Sequence, residues 1–295
     1  MTFHHDRPIL SSVFFKAHGL GNDYLVFEEG ASWSATPTAV SQVCDSHRGV
    51  GSDGIVVLLK DRSEGVLRLR MFNPDGSEFE RSGNGLRVLA AYVESKGLAE
   101  SPFVAEVGGD KVVLSINPAK VDAYDISVEM GRARLGPEAI ELDGKMLDEH
   151  ARLEGPSGEP LDVVMVSIGN PHIVVLTDDI NDSQLNALGP FLVAHPGLAH
   201  GANVQLATPI DSATCGALIW ERGVGPTSAS GTSSCAVAVA MVERRLMAPG
   251  HVRVRMPGGE FEVTVSEDFD VLLRGPVEEV CNGQLSDQLL SLLNT

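Results

Sequence analysis

Basic residues are scarce in this 295-residue chain: 22 Lys and Arg stand against 40 Asp and Glu, for a net charge of −18. So acidic a protein repels phosphate backbones and anionic headgroups, which argues against nucleic acid and membrane as partners. Aromatic residues make up only 5%, too few for a base-stacking surface. Long apolar runs are missing as well; none approaches the ~20 residues that cross a bilayer. Residues 1–12 carry His4, His5, Asp6 and Arg7 but no apolar segment of the kind a secretory signal needs, and they read as a floppy extension. The four cysteines, Cys44, Cys215, Cys235 and Cys281, are widely spaced and too few for a disulfide framework. Cys44 and His47 form a close Cys/His pair with no second pair near it, so no metal site is expected. Free thiols fit a reducing compartment, most simply the cytoplasm. Nucleotide and hydrolase signatures are lacking too. His18-Gly19-Leu20-Gly21 has no third fingerprint glycine, no Lys-Ser or Lys-Thr follows a Gly-rich loop, and neither Ser82 nor Ser230 sits in a Gly-x-Ser-x-Gly elbow.

The length suggests two domains of ~150 residues, and the sequence repeats itself on that scale. Gly21-Asn22 followed by Tyr24-Leu25-Val26-Phe27 returns as Gly169-Asn170 followed by His172-Ile173-Val174-Val175, 148 residues later. His47 returns as His195, Met71-Phe72 as Ile219-Trp220, and Ser82-Gly83 as Ser230-Gly231, all at that offset. Gly108-Gly109 and Gly258-Gly259 lie 150 apart, as one small insertion allows. Landmarks in one order at one spacing indicate a tandem duplication.

Within the repeat, Val13 to Ala17 and Tyr24 to Glu28 read as strands joined by a Gly-rich turn. Thr36 to Ser46 reads as a helix, with Thr as N-cap and Pro in its first turn. Gly54 to Leu59 and Val66 to Phe72 are strands. Leu86 to Ser95 has helical spacing and is closed by Lys96 and Gly97; Phe103 to Val107, Lys111 to Ile116 and Asp125 to Met130 are strands again. Ser234 to Leu246 is the matching helix of the second half, apolar all round and so expected to be buried on every side. The expected domains are 13–133 and 134–275, with residues 276–295 as a tail packing back on the first. A cleft between similar domains is a natural ligand site.

The symmetry singles out Ser82 and Ser230, each before a glycine at the start of an apolar helix. Two readings stay open. Serine is a good N-cap, and a helix N-terminus, with free N–H groups and the positive dipole end, also binds carboxylates.

Asn73-Pro74-Asp75-Gly76-Ser77, then Ser82-Gly83-Asn84-Gly85-Leu86-Arg87, resembles the signature of the diaminopimelate epimerase family. So do His18-Gly19-Leu20-Gly21-Asn22-Asp23, Gly169-Asn170-Pro171-His172, Ala202-Asn203, Glu221-Arg222-Gly223 and Ala229-Ser230-Gly231-Thr232. The likeness runs from about Val13 to the C-terminus. It implies an α+β fold of two pseudo-symmetric domains, each a mixed, β-barrel-like sheet around a central buried helix. It further implies a homodimeric isomerase that needs no cofactor and inverts Cα of a diaminopimelate-like amino acid, feeding lysine or cell-wall synthesis.

Inversion without a cofactor needs one group to remove the Cα proton and another to return one. The resemblance puts these roles at Ser82 and Ser230. It puts the distal end of the substrate on Asn22, Asn73, Asn170, Asn203 and Arg222, the guanidinium suiting a bidentate grip on a carboxylate. His172 and Glu221 would hold the substrate ammonium, while Gly83, Asn84, Gly231 and Thr232 offer backbone N–H groups to the proximal carboxylate. The family carries cysteine at both acid/base positions, where a helix N-terminus favours the thiolate; this chain has serine at both. Three explanations follow: a deliberate Cys→Ser replacement, a natural branch in which serine works with help from His172 or Glu221, or loss of activity. Pro226, Ser233 and Gly54, where the family tends to have Glu, Gly and Gln, favour a natural branch. A lyase or isomerase acting on another amino acid, or an inactive amino-acid binder, are the alternatives to an epimerase.

Overall fold

The described chain opens on an antiparallel hairpin over residues 9–29. The computed structural model describes residues 7–79, 81–118 and 123–295. β1 (Ile9–Gly19) turns into β2 (Asn22–Glu29) through Leu20 and Gly21, both at positive φ (55° and 87°). The floppy extension expected over residues 1–12 is corrected from Ile9 onward. Leu10 is fully buried and pairs with Trp33 in β3 (Trp33–Ser34), whose indole donates to Ser11 O at 3.0 Å. Burying these two side chains offsets the entropy of ordering the segment. The remainder of that expectation, residues 1–6, lies outside the described residues.

The chain divides into two compact units: Met1–Glu129 with Gly275–Thr295, and Met130–Arg274. In the first, α1 (Pro37–Cys44) is capped by Thr36, whose hydroxyl accepts from Ala39 N. Then come β4 (Ile55–Leu58), β5 (Val66–Phe72), β6 (Glu78–Phe79), α2 (Gly83–Lys96), β7 (Phe103–Val107), β8 (Asp110–Asn117) and β9 (Tyr124–Arg132). β1–β2, β4–β5, β5–β6, β7–β8 and β8–β9 pair antiparallel, while β2–β4 and β5–β7 are parallel.

After β10 (Arg134–Leu135), β11 (Leu153–Glu154) and β12 (Pro160–Leu161), the second unit repeats that order. It runs β13 (Val163–Ser167), β14 (Pro171–Leu176), α3 (Asp182–Val193), β15 (Asn203–Pro209), β16 (Thr214–Glu221), β17 (Gly225–Thr227), α4 (Gly231–Glu243), β18 (Gly250–Met256), β19 (Gly259–Val265) and β20 (Asp270–Gln284). Its parallel pairs, β14–β15 and β16–β18, fall where those of the first unit do. The distal part of β20, Glu278 to Gln284, pairs with β1. Beyond it, α5 (Asp287–Leu293) places Leu293 in the apolar cluster of Trp33, Val40 and Phe72. The architecture is a mixed α+β fold, mostly sheet with few helices.

One helix in each unit carries the architecture. α4 is buried from Gly231 to Val242 and packs against β13, β14, β15, β16, β18 and β19. Its Ala and Val side chains are small, which lets strands approach from all around. α2 is buried from Gly83 to Val93 and packs on β1, β2, β4 and β8. It ends where Gly97 takes a left-handed conformation and its N–H closes on Val93 and Glu94 carbonyls, an αL cap that glycine adopts without a Cβ clash. Because strands surround α4, there is no solvent face to absorb extra volume. Ala238→Leu should therefore cost at least ~1–3 kcal/mol, read as a lower urea midpoint with an unchanged slope, whereas Glu243→Ala at the exposed end should move the midpoint little.

Candidate active site

The N-terminal end of α2 is where the first unit gathers its polar residues. Ser82 stands in extended conformation just before the helix, and its Oγ accepts from Gly85 N at 3.1 Å, capping the first turn. The same oxygen accepts from Tyr24 Oη on β2, also at 3.1 Å. Asn84, 3% exposed, donates to Asn22 Oδ1 at 2.7 Å and accepts from the buried Arg87 guanidinium. Asn22 in turn donates to Asp53 Oδ2 at 2.9 Å, and Asp23 N donates to the same oxygen at 3.0 Å. Lys16 holds the Asp23 carboxylate at 2.7 Å. Burial, with the Asp23 carboxylate close by, pushes the Asp53 carboxyl above its ordinary range. Asn22 and Asn84 thus form one hydrogen-bonded chain that ends on the Asp53 carboxylate. The hydrogen bonds of Asn73 stay in its own turn, where Nδ2 donates to Ser77 Oγ at 2.9 Å.

The second unit places a different set at the equivalent end. Ser230 is the N-cap of α4 by backbone position, yet its hydroxyl makes no capping bond. His172 on β14 is fully buried. Gln205 Nε2 donates to His172 Nδ1 at 3.1 Å and to Ser233 Oγ at 3.0 Å. That leaves the imidazole proton on Nε2, donated to Asn170 Oδ1 at 2.8 Å. Asn170 continues to Thr232 Oγ1 at 3.4 Å. Burial pushes the imidazole down to about 3, so it is neutral, with both nitrogens engaged inside the protein.

Asn203 ties the neighbouring loops together: its Oδ1 accepts from Arg222 N at 2.9 Å and its Nδ2 donates to Pro171 O at 3.3 Å. The exposed Arg222 side chain donates to His200 O at 2.7 Å. Glu221 Oε2 accepts from Thr227 Oγ1 at 3.3 Å.

Both helix ends have donors to spare. Ser234 N reaches Ser230 O at 3.0 Å and Leu86 N reaches Ser82 O at 2.9 Å. Among the described residues, however, the N–H groups of Gly83, Asn84, Gly231, Thr232 and Ser233 have no acceptor in the protein. Such groups at the positive end of a helix suit a carboxylate.

Of the residues singled out in the sequence, the structure links Asn22 to Asn84, Asn170 to His172 and Thr232, and Asn203 to the Arg222 backbone. Sequence reasoning missed Tyr24, Asp53, Arg87 and Gln205. For Tyr24 a signal was present: it is the residue 148 positions before His172, so the repeat pairs the two. Gln205 and Asp53 carried none, since their partners are strand neighbours distant in sequence.

Comparison with known proteins identifies the family. The family model described as diaminopimelate epimerase matches residues 14–136 and 164–280. A diaminopimelate epimerase of Desulforudis audaxviator is 38% identical, over 92% of this chain and 98% of its own. Diaminopimelate epimerase 2 of Nostoc sp. is 35% identical, over 95% and 97%. Among solved structures, a hydroxyproline epimerase from Agrobacterium vitis superposes with a TM-score of 0.68 at 14% identity, covering 92% of each chain, a likeness of fold. With more than a third of residues shared over nearly the full length of both relatives, this chain belongs to the diaminopimelate epimerase family.

Proposed function

We propose that the protein is a cofactor-independent epimerase that inverts one Cα of L,L-diaminopimelate to the meso form, with Ser82 and Ser230 as the groups that take and return the Cα proton. One observation carries this reading above the rest. Two serines 148 residues apart each stand before a buried helix whose first two N–H groups have no acceptor among the described residues. A carboxylate bound there would delocalise the charge that develops when Cα loses its proton. Gly83, Asn84, Gly231 and Thr232 supply the N–H groups. Asn22, Asn73, Asn170, Asn203 and Arg222 are assigned to the distal amino-acid end, which suits diaminopimelate or a similar diamino diacid. Glu221 is assigned to the substrate ammonium. His172, neutral and engaged at both nitrogens, is better suited to holding Asn170 and the start of α4 in place. We extend the reading to a cytoplasmic homodimer, supported by the family resemblance and the free thiols. Light scattering on the purified protein reads the assembly state.

Incubation with L,L-diaminopimelate in D₂O should place deuterium at one Cα and yield the meso isomer. No deuterium at high enzyme concentration would sink the reading. Ser82→Cys combined with Ser230→Cys should raise the rate, because a thiol ionises far more readily than an alcohol at a helix N-terminus.

Capping and chemistry separate cleanly between the two serines. Ser82→Ala should cost ~1 kcal/mol of stability through the lost cap, and Ser230→Ala, which removes no cap, far less. Both should abolish turnover. Matched losses of stability and activity at Ser82 alone would reduce it to a cap.

His172 gives a pH dependence of definite sign. Its folded value is depressed to about 3 by burial, against ~6.5 in the unfolded chain. The unfolded chain binds the proton between these values, so stability is full above pH ~6.5 and is lost as pH falls. Acidification from pH 7 to pH 5 should remove about 2 kcal/mol through this group. His172→Gln should show a shallower acid decline in chemical denaturation. An unchanged decline would mean that the imidazole is protonated in the folded protein.

A further inference from the structure

We propose that Tyr24 and Ser82 act as one proton relay, Tyr24 being the positioning residue through which the Ser82 hydroxyl is supplied with and relieved of its proton. The inference rests on the epimerase reading above, and it addresses how an alcohol could do the work of a thiol.

The hydrogen bonding at Ser82 determines which proton it can give. Its oxygen already accepts from Tyr24 Oη and Gly85 N, each at 3.1 Å, so its lone pairs are taken. The hydroxyl's own proton remains as the one to donate. An alcohol alone is a poor acid and its alkoxide is costly to form. A phenol ionises near ~10 in ordinary surroundings, well below an alcohol, and this one lies in line with the serine.

When a proton is returned to substrate, the Ser82 O–H bond breaks as the Cα–H bond forms. The Tyr24 O–H bond then breaks as its proton passes to Ser82 Oγ, leaving a phenolate. When a proton is removed, the Cα–H bond breaks, its electron pair stays on carbon, and its proton goes to Ser82 Oγ. Ser82's former proton passes to the phenolate. Charge and protons balance within each step, and proton exchange with water resets the phenol between turnovers.

A second observation shows that the place of this ring depends on a glycine. Tyr24 precedes Leu25, whose N–H donates to Gly54 O at 3.1 Å across the parallel β2–β4 pair. A Cβ on Gly54 would lie 2.6 Å from Tyr24 Cε1 and 3.0 Å from Phe72 O. A side chain at position 54 would therefore force the ring, or the strands that flank it, to shift. Tyr24 is only 6% exposed, so the bond is formed with little competition from water. The equivalent strand pair in the second unit is His172 with Asn203, and the Ser230 hydroxyl there makes no capping bond.

The test compares the parent chain with Tyr24→Phe, Gly54→Ala, Ser82→Cys, Tyr24→Phe with Ser82→Cys, and Ser82→Cys with Ser230→Cys. Each is assayed for deuterium entry at Cα of diaminopimelate. Tyr24→Phe should lower kcat ~100-fold, a general acid–base effect, with KM held within about twofold. Gly54→Ala, which keeps the phenol but displaces it, should fall comparably and stands in should Tyr24→Phe not fold. In the Ser82→Cys background the loss on removing Tyr24 should shrink to less than about fivefold, because a thiol supplies its own acid.

Retention of more than a third of the rate by Tyr24→Phe overturns the relay and leaves the epimerase reading intact. A loss that appears in KM, or that is equally large in the Ser82→Cys background, assigns Tyr24 a packing role and also overturns it. If the parent is silent while Ser82→Cys with Ser230→Cys turns over, the relay fails and the epimerase scaffold stands. If both are silent, the epimerase reading falls and the relay with it.

Discussion

A helix buried on all sides must still deal with the N–H groups of its first turn, and the rest of the molecule is arranged around that demand. The strands surrounding α4 leave its flanks no contact with solvent, and the N–H groups of its first turn have no intrahelical acceptors. Native proteins leave few such donors unpaired. Here α2 settles one of them with the Ser82 hydroxyl, and both helices keep others unpaired among the described residues. Five donors held at two equivalent ends are a cost to the fold and an asset to a site that receives a carboxylate. The same architecture that creates the demand therefore fixes where chemistry can occur.

How much of this could be read from the sequence depends on whether the determinant was local. The duplication was legible because its landmarks, Gly-Asn turns and Ser-Gly helix starts, are short and recur at 148 residues. Helix ends were legible where a cap is written into adjacent residues, as Thr36-Pro37 and Lys96-Gly97 are. The start of α4 was harder. Gly231-Thr232-Ser233 are weak helix formers, and burial rather than propensity makes them helical, so the expected start at Ser234 falls three residues late. Leu10 was overlooked for a similar reason: its value lies in contact with Trp33, which the local pattern does not show. Side-chain networks were the least legible, because Tyr24–Ser82 and Gln205–His172 join residues 58 and 33 positions apart.

The two copies have kept their backbone plan while their polar interiors diverged. Gly85 of the first unit approaches Met71 and Val56 so closely that a Cβ would lie 3.2–3.3 Å from them. The second unit has Ser233, Ile219 and Gln205 at the corresponding places, and there a hydroxyl–amide bond replaces the apolar contact. Gln205 Oε1 finds no partner, a penalty of ~1–3 kcal/mol for a buried acceptor. What the arrangement achieves is a fixed, neutral His172 that donates to Asn170. In the first unit the matching strand position is Tyr24, whose hydroxyl reaches the serine directly. Duplication supplied two equivalent helix ends, and divergence gave each a different way of ordering the residue in front of it.

The excess of acidic residues sharpens the role of those helix ends. At a net charge of −18, long-range attraction cannot draw in an anion, and any carboxylate must be held by contacts made at short range. Within the Debye length of ~8 Å at physiological salt, oriented N–H groups outweigh distant surface charge. Two acidic residues of the network at the first helix end are already committed: Asp23 to Lys16, and Asp53 to Asn22 and the Asp23 backbone. An acidic protein can thus present a locally anion-receptive site, provided that its donors are backbone groups fixed by a helix that cannot move.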